Sequence, residues 1–185
     1  MNYKKTYVPK EGYTPLCKAG ECSLKMLDFG IIELKAGGKQ EFYTGNKETA
    51  FIILGGKCNV EFDDVKWKDL GGRRSVFEGK AHSFYMPRNK KLVISTDWSV
   101  KIAVCATETD EDTEPACYGP DHVNSVVLGV KPWERDTHFI IDGRSNARYL
   151  TIGEAFVTPG NWAGFPPHKH DVDKMPAEGV LEEIY

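Results

Sequence analysis

The chain has 185 residues, 41% of them hydrophobic and 28% charged, and carries a formal net charge of −3. That length holds one large or two small globular domains, and the mildly acidic balance excludes the basic footprint of a nucleic-acid-binding protein. No apolar run approaches the roughly 18 residues of a membrane span, and residues 1–7 carry charge with no apolar stretch behind them, so the sequence reads as a cytoplasmic protein without a secretory leader.

In chain order, the periodicity is that of strands. Residues 26–34 are the first candidate, with a turn at Gly37-Gly38. Ala50-Phe51-Ile52-Ile53-Leu54 is a short apolar run closed by Gly55-Gly56, and Cys58-Asn59-Val60-Glu61-Phe62 follows directly, which predicts a hairpin. Asp63-Asp64, Gly71-Gly72 and Pro87-Arg88-Asn89 supply further turns, and residues 84–87 and 91–95 read as strands. Trp98, Val100, Ile102 and Val104 alternate with Ser99, Lys101 and Ala103, the pattern of a half-buried strand that ends at Cys105. Glu108-Thr109-Asp110-Glu111-Asp112-Thr113-Glu114-Pro115 is acidic and free of apolar residues, and reads as a linker or long surface loop. Strands are expected again at 123–128, 138–141 and 149–157. No dozen residues carry a helical stripe, and 18 glycines and 10 prolines argue against long helices. The prediction is an all-β protein with a β-barrel over 1–110, an acidic linker or loop over 111–120, and a second, unfinished barrel over 121–185.

Cysteines Cys17, Cys22, Cys58, Cys105 and Cys117 are odd in number. Cys17 and Cys22 have no second pair to complete a zinc site, so all five are expected to be reduced structural thiols. His82, His122 and His138 pair with nothing in the sequence and read as surface or satisfied core histidines.

The richest chemistry lies at the C-terminus, in Pro166-Pro167-His168-Lys169-His170-Asp171 and Leu181-Glu182-Glu183-Ile184-Tyr185. The prolines hold the chain extended, so His168 and His170 share one face of a strand, about 7 Å apart along it. Residues 171–179 are turn-rich, and 180–185 are expected to return as an antiparallel partner. Two imidazoles and a carboxylate form a donor set for a divalent transition metal. Glu182 and Glu183 face opposite sides of the returning strand, and alternation alone leaves open which one reaches inward.

The run Gly160-Asn161-Trp162-Ala163-Gly164-Phe165-Pro166-Pro167-His168-Lys169-His170-Asp171, with Leu181-Glu182-Glu183-Ile184-Tyr185, resembles the 5-deoxy-glucuronate isomerase family of myo-inositol catabolism. Ile152-Gly153-Glu154-Ala155-Phe156, Arg73-Arg74-Ser75-Val76-Phe77 and Tyr85-Met86-Pro87 also look like segments of it, so the resemblance spans nearly the whole chain. The family is a bicupin related to the 4-deoxy-5-ketouronate isomerases. The resemblance implies a metal, zinc or manganese, on His168 and His170. In the related ketouronate isomerases the ligand Glu precedes a branched residue and Tyr, which selects Glu183; a fourth ligand, a histidine, is implied on strands beyond Tyr185. The family usually places hydroxyl residues where this chain has Ala163-Gly164, which separates it from the pattern at that point.

The implied reaction converts 5-deoxy-glucuronate to 5-dehydro-2-deoxy-gluconate through an enediol, with the metal as Lewis acid and a general base to carry the proton. No residue stands out as that base; Glu182 and Asp171 are nearby carboxylates that read as solvated loop groups. The substrate carboxylate calls for a cationic partner, for which Arg148 is the candidate, with Arg144 beside it. The expected partner is a small sugar acid, and the family admits a homo-oligomer; neither nucleic acid nor membrane is expected. Three alternatives stay open: a 4-deoxy-5-ketouronate isomerase, another metal-dependent cupin enzyme such as an iron oxygenase, and an inactive sugar-binding cupin fragment.

Overall fold

A computed structural model describes residues 6–21, 24–164, 170 and 172–185. Their strands are β1 (Gly12–Cys17), β2 (Leu27–Leu34), β3 (Lys39–Tyr43), β4 (Lys47–Phe62), β5 (Val65–Gly71), β6 (His82–Met86), β7 (Lys91–Ser95), β8 (Val100–Glu108), β9 (Ala116–Tyr118), β10 (Asn124–Leu128), β11 (Arg135–Ile141) and β12 (Ile152–Val157). One 3-10 turn, Pro120–His122, is the only helical element among the described residues. The all-β expectation is met.

Nine strands form one antiparallel system, in the order β1-β2-β8-β4-β6-β9, with β5 and β7 also on β4 and β3 on β7. The expected hairpin around Gly55-Gly56 is absent, and both runs belong to the single strand β4. Up to Gly56 this strand pairs with β8, and from Lys57 onward it pairs with β5 and β7. The glycine pair is therefore a bend that carries one strand from one sheet to the other, with a register shift between Ile53 and Gly55. Gly56 sits at φ +90°, and a Cβ there would lie 1.9 Å from the Ser99 carbonyl oxygen. No other residue fits, because the backbones themselves touch.

Alternation sorts the two faces of this sheet. Ile32, Phe51, Ile53, Phe84, Ile102 and Val104 point into the barrel, where they meet Val60, Leu92 and Ile94 from the opposite wall. Rings run through this interior, from Tyr13 to Phe42 to Phe51, which stacks on Phe84 at 4.5 Å, with Trp67 beyond. Ile31, Ala50, Ile52, Tyr85 and Ala103 point the other way and are also buried, under Val123, Ile140, Ile141 and Leu150. Strand β8 is thus covered on both faces around Ala103, where the sequence predicts a half-buried strand. Trp98 lies ahead of the strand and is 68% exposed.

The covering layer is a three-stranded antiparallel sheet, β10-β11-β12. Polar anchors fix it to the barrel. Glu48 of β4, fully buried, accepts hydrogen bonds from the backbone N–H groups of Arg148, Tyr149 and Leu150 and from the Tyr85 hydroxyl. Arg73 reaches Glu154 of β12 with both Nη atoms, at 2.9 and 2.5 Å, and its Nε donates to the Ile53 carbonyl. Phe77 meets Phe156 beside that ion pair, with ring centroids 6.2 Å apart.

The acidic stretch is strapped to the barrel instead of running free. The Thr109 N–H donates to the Asn46 carbonyl, Asp112 pairs with Arg88 at 2.6 Å, and the Thr113 hydroxyl lies 2.7 Å from the Tyr85 hydroxyl. β9, within residues 111–120, pairs with β6 as part of the barrel sheet.

Candidate functional site

The C-terminal segment places two of the expected donors together. His168 and Asp171 lie outside the described residues. His170 stands with Nδ1 3.1 Å from the Gly179 carbonyl oxygen and Nε2 4.0 Å from Glu183 Oε1. A carbonyl oxygen only accepts, so the contact at Nδ1 calls for a proton there, and a neutral imidazole then keeps its lone pair at Nε2, on the Glu183 side. This is how a metal-binding imidazole is oriented. Two donors that share one ion at about 2.0–2.2 Å each stand at most about 4.3 Å apart, so the 4.0 Å separation and the donor chemistry both fit such an ion.

Neighbouring carboxylates do opposite jobs here. Glu183 faces His170, and the Tyr185 hydroxyl donates to its Oε1 at 3.4 Å. Glu182 points the other way and accepts from the backbone N–H groups of Lys25, Met26 and Leu27, at 2.6, 2.8 and 3.3 Å. The solvated-loop reading of Glu182 is corrected on this point: it ties the C-terminal segment to the start of β2. The returning segment itself is held by a Lys174–Glu178 bridge and by the Leu181 N–H on the His170 carbonyl, without a continuous ladder. Desolvation, followed by the charge of Glu183 and its hydrogen bond, pushes the Tyr185 phenol above its ordinary pKa, and the Arg135 charge opposes this.

The approach to the site is anchored on the second sheet. The Trp162 N–H donates to the Pro132 carbonyl at 2.7 Å, and Asn161 Nδ2 donates to the Glu134 carbonyl at 3.3 Å. Arg135, the first residue of β11, has Nη1 3.9 Å from the point where a Cβ would stand on Gly164. Arg135 sits in the polar run Glu134-Arg135-Asp136-Thr137, and only strand pairing brings it beside Gly164. Arg148 places its guanidinium on Glu111, with Nε 2.6 Å from Oε2. Arg144 closes a local ion pair on Asp142 and holds that carboxyl below its ordinary range.

The remaining histidines are structural. His82 Nδ1 accepts the Gly71 N–H at 3.0 Å. His122 stacks on Tyr118, and His138 packs against Phe156 with Asp136 Oδ2 3.4 Å from its Nε2. His122 Nε2 and His138 Nδ1 are buried without a hydrogen-bond partner among the described residues, so "satisfied" is too strong for either. Cys58, Cys105 and Cys117 are free thiols, and burial pushes the first two up to about 12. Cys22 lies outside the described residues.

Comparison with known proteins fits this architecture. The chain is 33% identical over 159 residues to a 5-deoxy-glucuronate isomerase of Geobacillus kaustophilus, covering 85% of this chain and 57% of that protein. It is 30% identical over 169 residues to the 5-deoxy-glucuronate isomerase of Halalkalibacterium halodurans, covering 90% of this chain and 63% of that one. The chain thus spans about three fifths of the length of these curated relatives. The crystal structure of an IolB-like protein from Salmonella typhimurium superposes with a TM-score of 0.88 at 22% identity, over 95% of this chain and 67% of that one. That likeness is one of fold, and the fold is all-β. The model of the KduI/IolB family matches residues 4–185, and the chain belongs to that family.

Proposed function

We propose that this protein is an intramolecular aldose–ketose isomerase that converts 5-deoxy-glucuronate to 5-dehydro-2-deoxy-gluconate in myo-inositol catabolism, in the cytoplasm. The family match over residues 4–185 carries this reading, together with relatives that bear the name 5-deoxy-glucuronate isomerase. His168, His170 and Glu183 would hold a divalent metal, zinc or manganese, since imidazole and carboxylate donors suit both. When bound, the metal supplies Lewis-acid polarisation of a substrate oxygen.

The chain's own residues prepare that site. The Gly179 carbonyl fixes the His170 tautomer, and Glu182 sets the height of the segment on which Glu183 rides. The Tyr185 phenol donates to Glu183 and restrains that carboxylate.

The test is to incubate the purified chain with zinc or manganese and 5-deoxy-glucuronate and to follow ketose formation by NMR. H170A and E183Q are expected to lower the rate by at least about a hundredfold with an unchanged far-UV spectrum. Product formed at the wild-type rate by E183Q, or by metal-stripped protein, counts against the reading.

A further inference from the structure

Within 180–185 the usual order of burial is inverted. Val180, Leu181 and Ile184 are exposed, while Glu182 among them is half-buried. A charged side chain is rarely the most buried member of a segment, so apolar packing is not what seats this one. The hydrogen bonds of His170 with Gly179 and Leu181, of Val172 with Glu178 and of Lys174 with Glu178 close residues 170–181 on themselves. Glu182 reaches outside, with Oε1 on the Lys25 N–H and Oε2 on those of Met26 and Leu27. Among the described residues it is the only acceptor for the first two of these groups.

The seat is braced independently of Glu182. Asp28, held by Lys47 at 2.5 Å, accepts the Ala19 N–H at 2.7 Å. The Glu21 N–H donates to the Lys18 carbonyl, that of Leu24 to Glu21 and that of Gly20 to Leu24. Three successive N–H groups at 25–27 then converge on one carboxylate, a backbone arrangement suited to an anion and to charge-assisted hydrogen bonds. The next residue is Glu183, facing His170. We propose that Glu182 is a positioning residue of the metal site: seated on Lys25–Leu27, it sets how tightly His170 and Glu183 hold the ion. The proposal rests on the metal reading given above for the role of those two donors. Such a coupling is reciprocal, so metal loading also steadies the seat and slows amide exchange at Lys25 and Met26.

The experiment titrates the metal-free purified chain with zinc against a chromophoric chelator and follows amide exchange at 25–27 by NMR. E182Q is the decisive variant, because an amide offers one accepting oxygen and turns an N–H group toward the seat. It is expected to bind zinc roughly tenfold to a hundredfold more weakly, the range for losing a partner that orients a metal ligand, and to lose the zinc-dependent slowing at Lys25 and Met26. E182D keeps a carboxylate at shorter reach and should recover part of the affinity. The seat lies outside the barrel core, so melting of E182Q should shift by no more than about 4 °C. F51L supplies the contrast, with a lower melting temperature and wild-type zinc affinity. Wild-type affinity in E182Q, an equal loss in F51L, or exchange at Lys25 and Met26 that zinc leaves unchanged in the wild type overturns the proposal. The metal reading fails separately. A wild type that binds no zinc, or an H170A variant that binds it equally well, removes that reading, and exchange without metal then decides what Glu182 does. Amides of Lys25 and Met26 that are slow in the wild type and fast in E182Q keep it as the residue that positions the segment; amides fast in both overturn even that.

Discussion

The barrel interior and the corner around Glu183 are built from opposite materials. Inside the barrel, Phe51 lies on Phe84 and Ile53, Ile94 and Ile102 fill the space around them, so the lumen is a packed core. At the C-terminal corner, Glu183 faces His170 and accepts from the hydroxyl of Tyr185, a residue 99% exposed. A β-barrel has room inside for either side chains or a ligand. Here the first barrel is filled, which leaves it the role of a platform for the three-stranded sheet. Between them lies an interface with polar pins at Glu48 and at Arg73–Glu154.

Truncating the lumen should separate the two regions most sharply. Phe51→Ala is expected to cost about 3–5 kcal/mol, read from the shift of the urea midpoint, because its ring is fully buried between Phe42 and Phe84. A loss under about 1 kcal/mol would mean that the interior repacks freely and is not the rigid platform described. Glu48→Ala attacks the joint. It strips the acceptor from three backbone N–H groups and the Tyr85 hydroxyl, at about 1 kcal/mol for each backbone donor and about 3 kcal/mol together. Hydrogen exchange should then speed up in β10–β12 ahead of the barrel strands; uniform acceleration would show that the two layers open as one.

The smallest expected effect is alkaline. Cys58 and Cys105 rise from an ordinary 9.0 to about 12 in the folded chain, chiefly through desolvation. A folded pKa above the unfolded one means stability that is complete below pH 9 and falls as pH climbs from about 9 toward 12. Cys58→Ala should flatten that decline measurably in melts at pH 8 and pH 10. An identical slope in the variant would show that the thiol contributes nothing to it.

How much of this was legible in the sequence depends on what each residue's neighbours decide. β7 coincides with its predicted span, and β2 begins one residue late, because continuous apolar alternation needs no tertiary information. β1 carries Pro15 at a register break on the sheet edge, β3 is half polar, and β9 has three residues, so none offers a usable period. The Gly55-Gly56 bend looks like a hairpin turn locally, and only Ser99 pressing on Gly56 distinguishes them. At the site, alternation correctly sets Glu182 and Glu183 on opposite sides, while the partner of Glu182 lies more than 150 residues away in the chain. The Arg73–Phe77 and Glu154–Phe156 segments read only as family pieces, yet they meet in space through an ion pair and a ring contact.

The adjacency of Glu182 and Glu183 also has a mechanical consequence. One residue is riveted to the opening backbone of β2, and the next carries the group that faces His170, with a single peptide unit of about 3.8 Å between their Cα atoms. Such a short arm has almost no slack. A displacement of the rivet passes directly to the Glu183 carboxylate, so the start of β2 acts as the gauge block against which the Glu183–His170 contact is set.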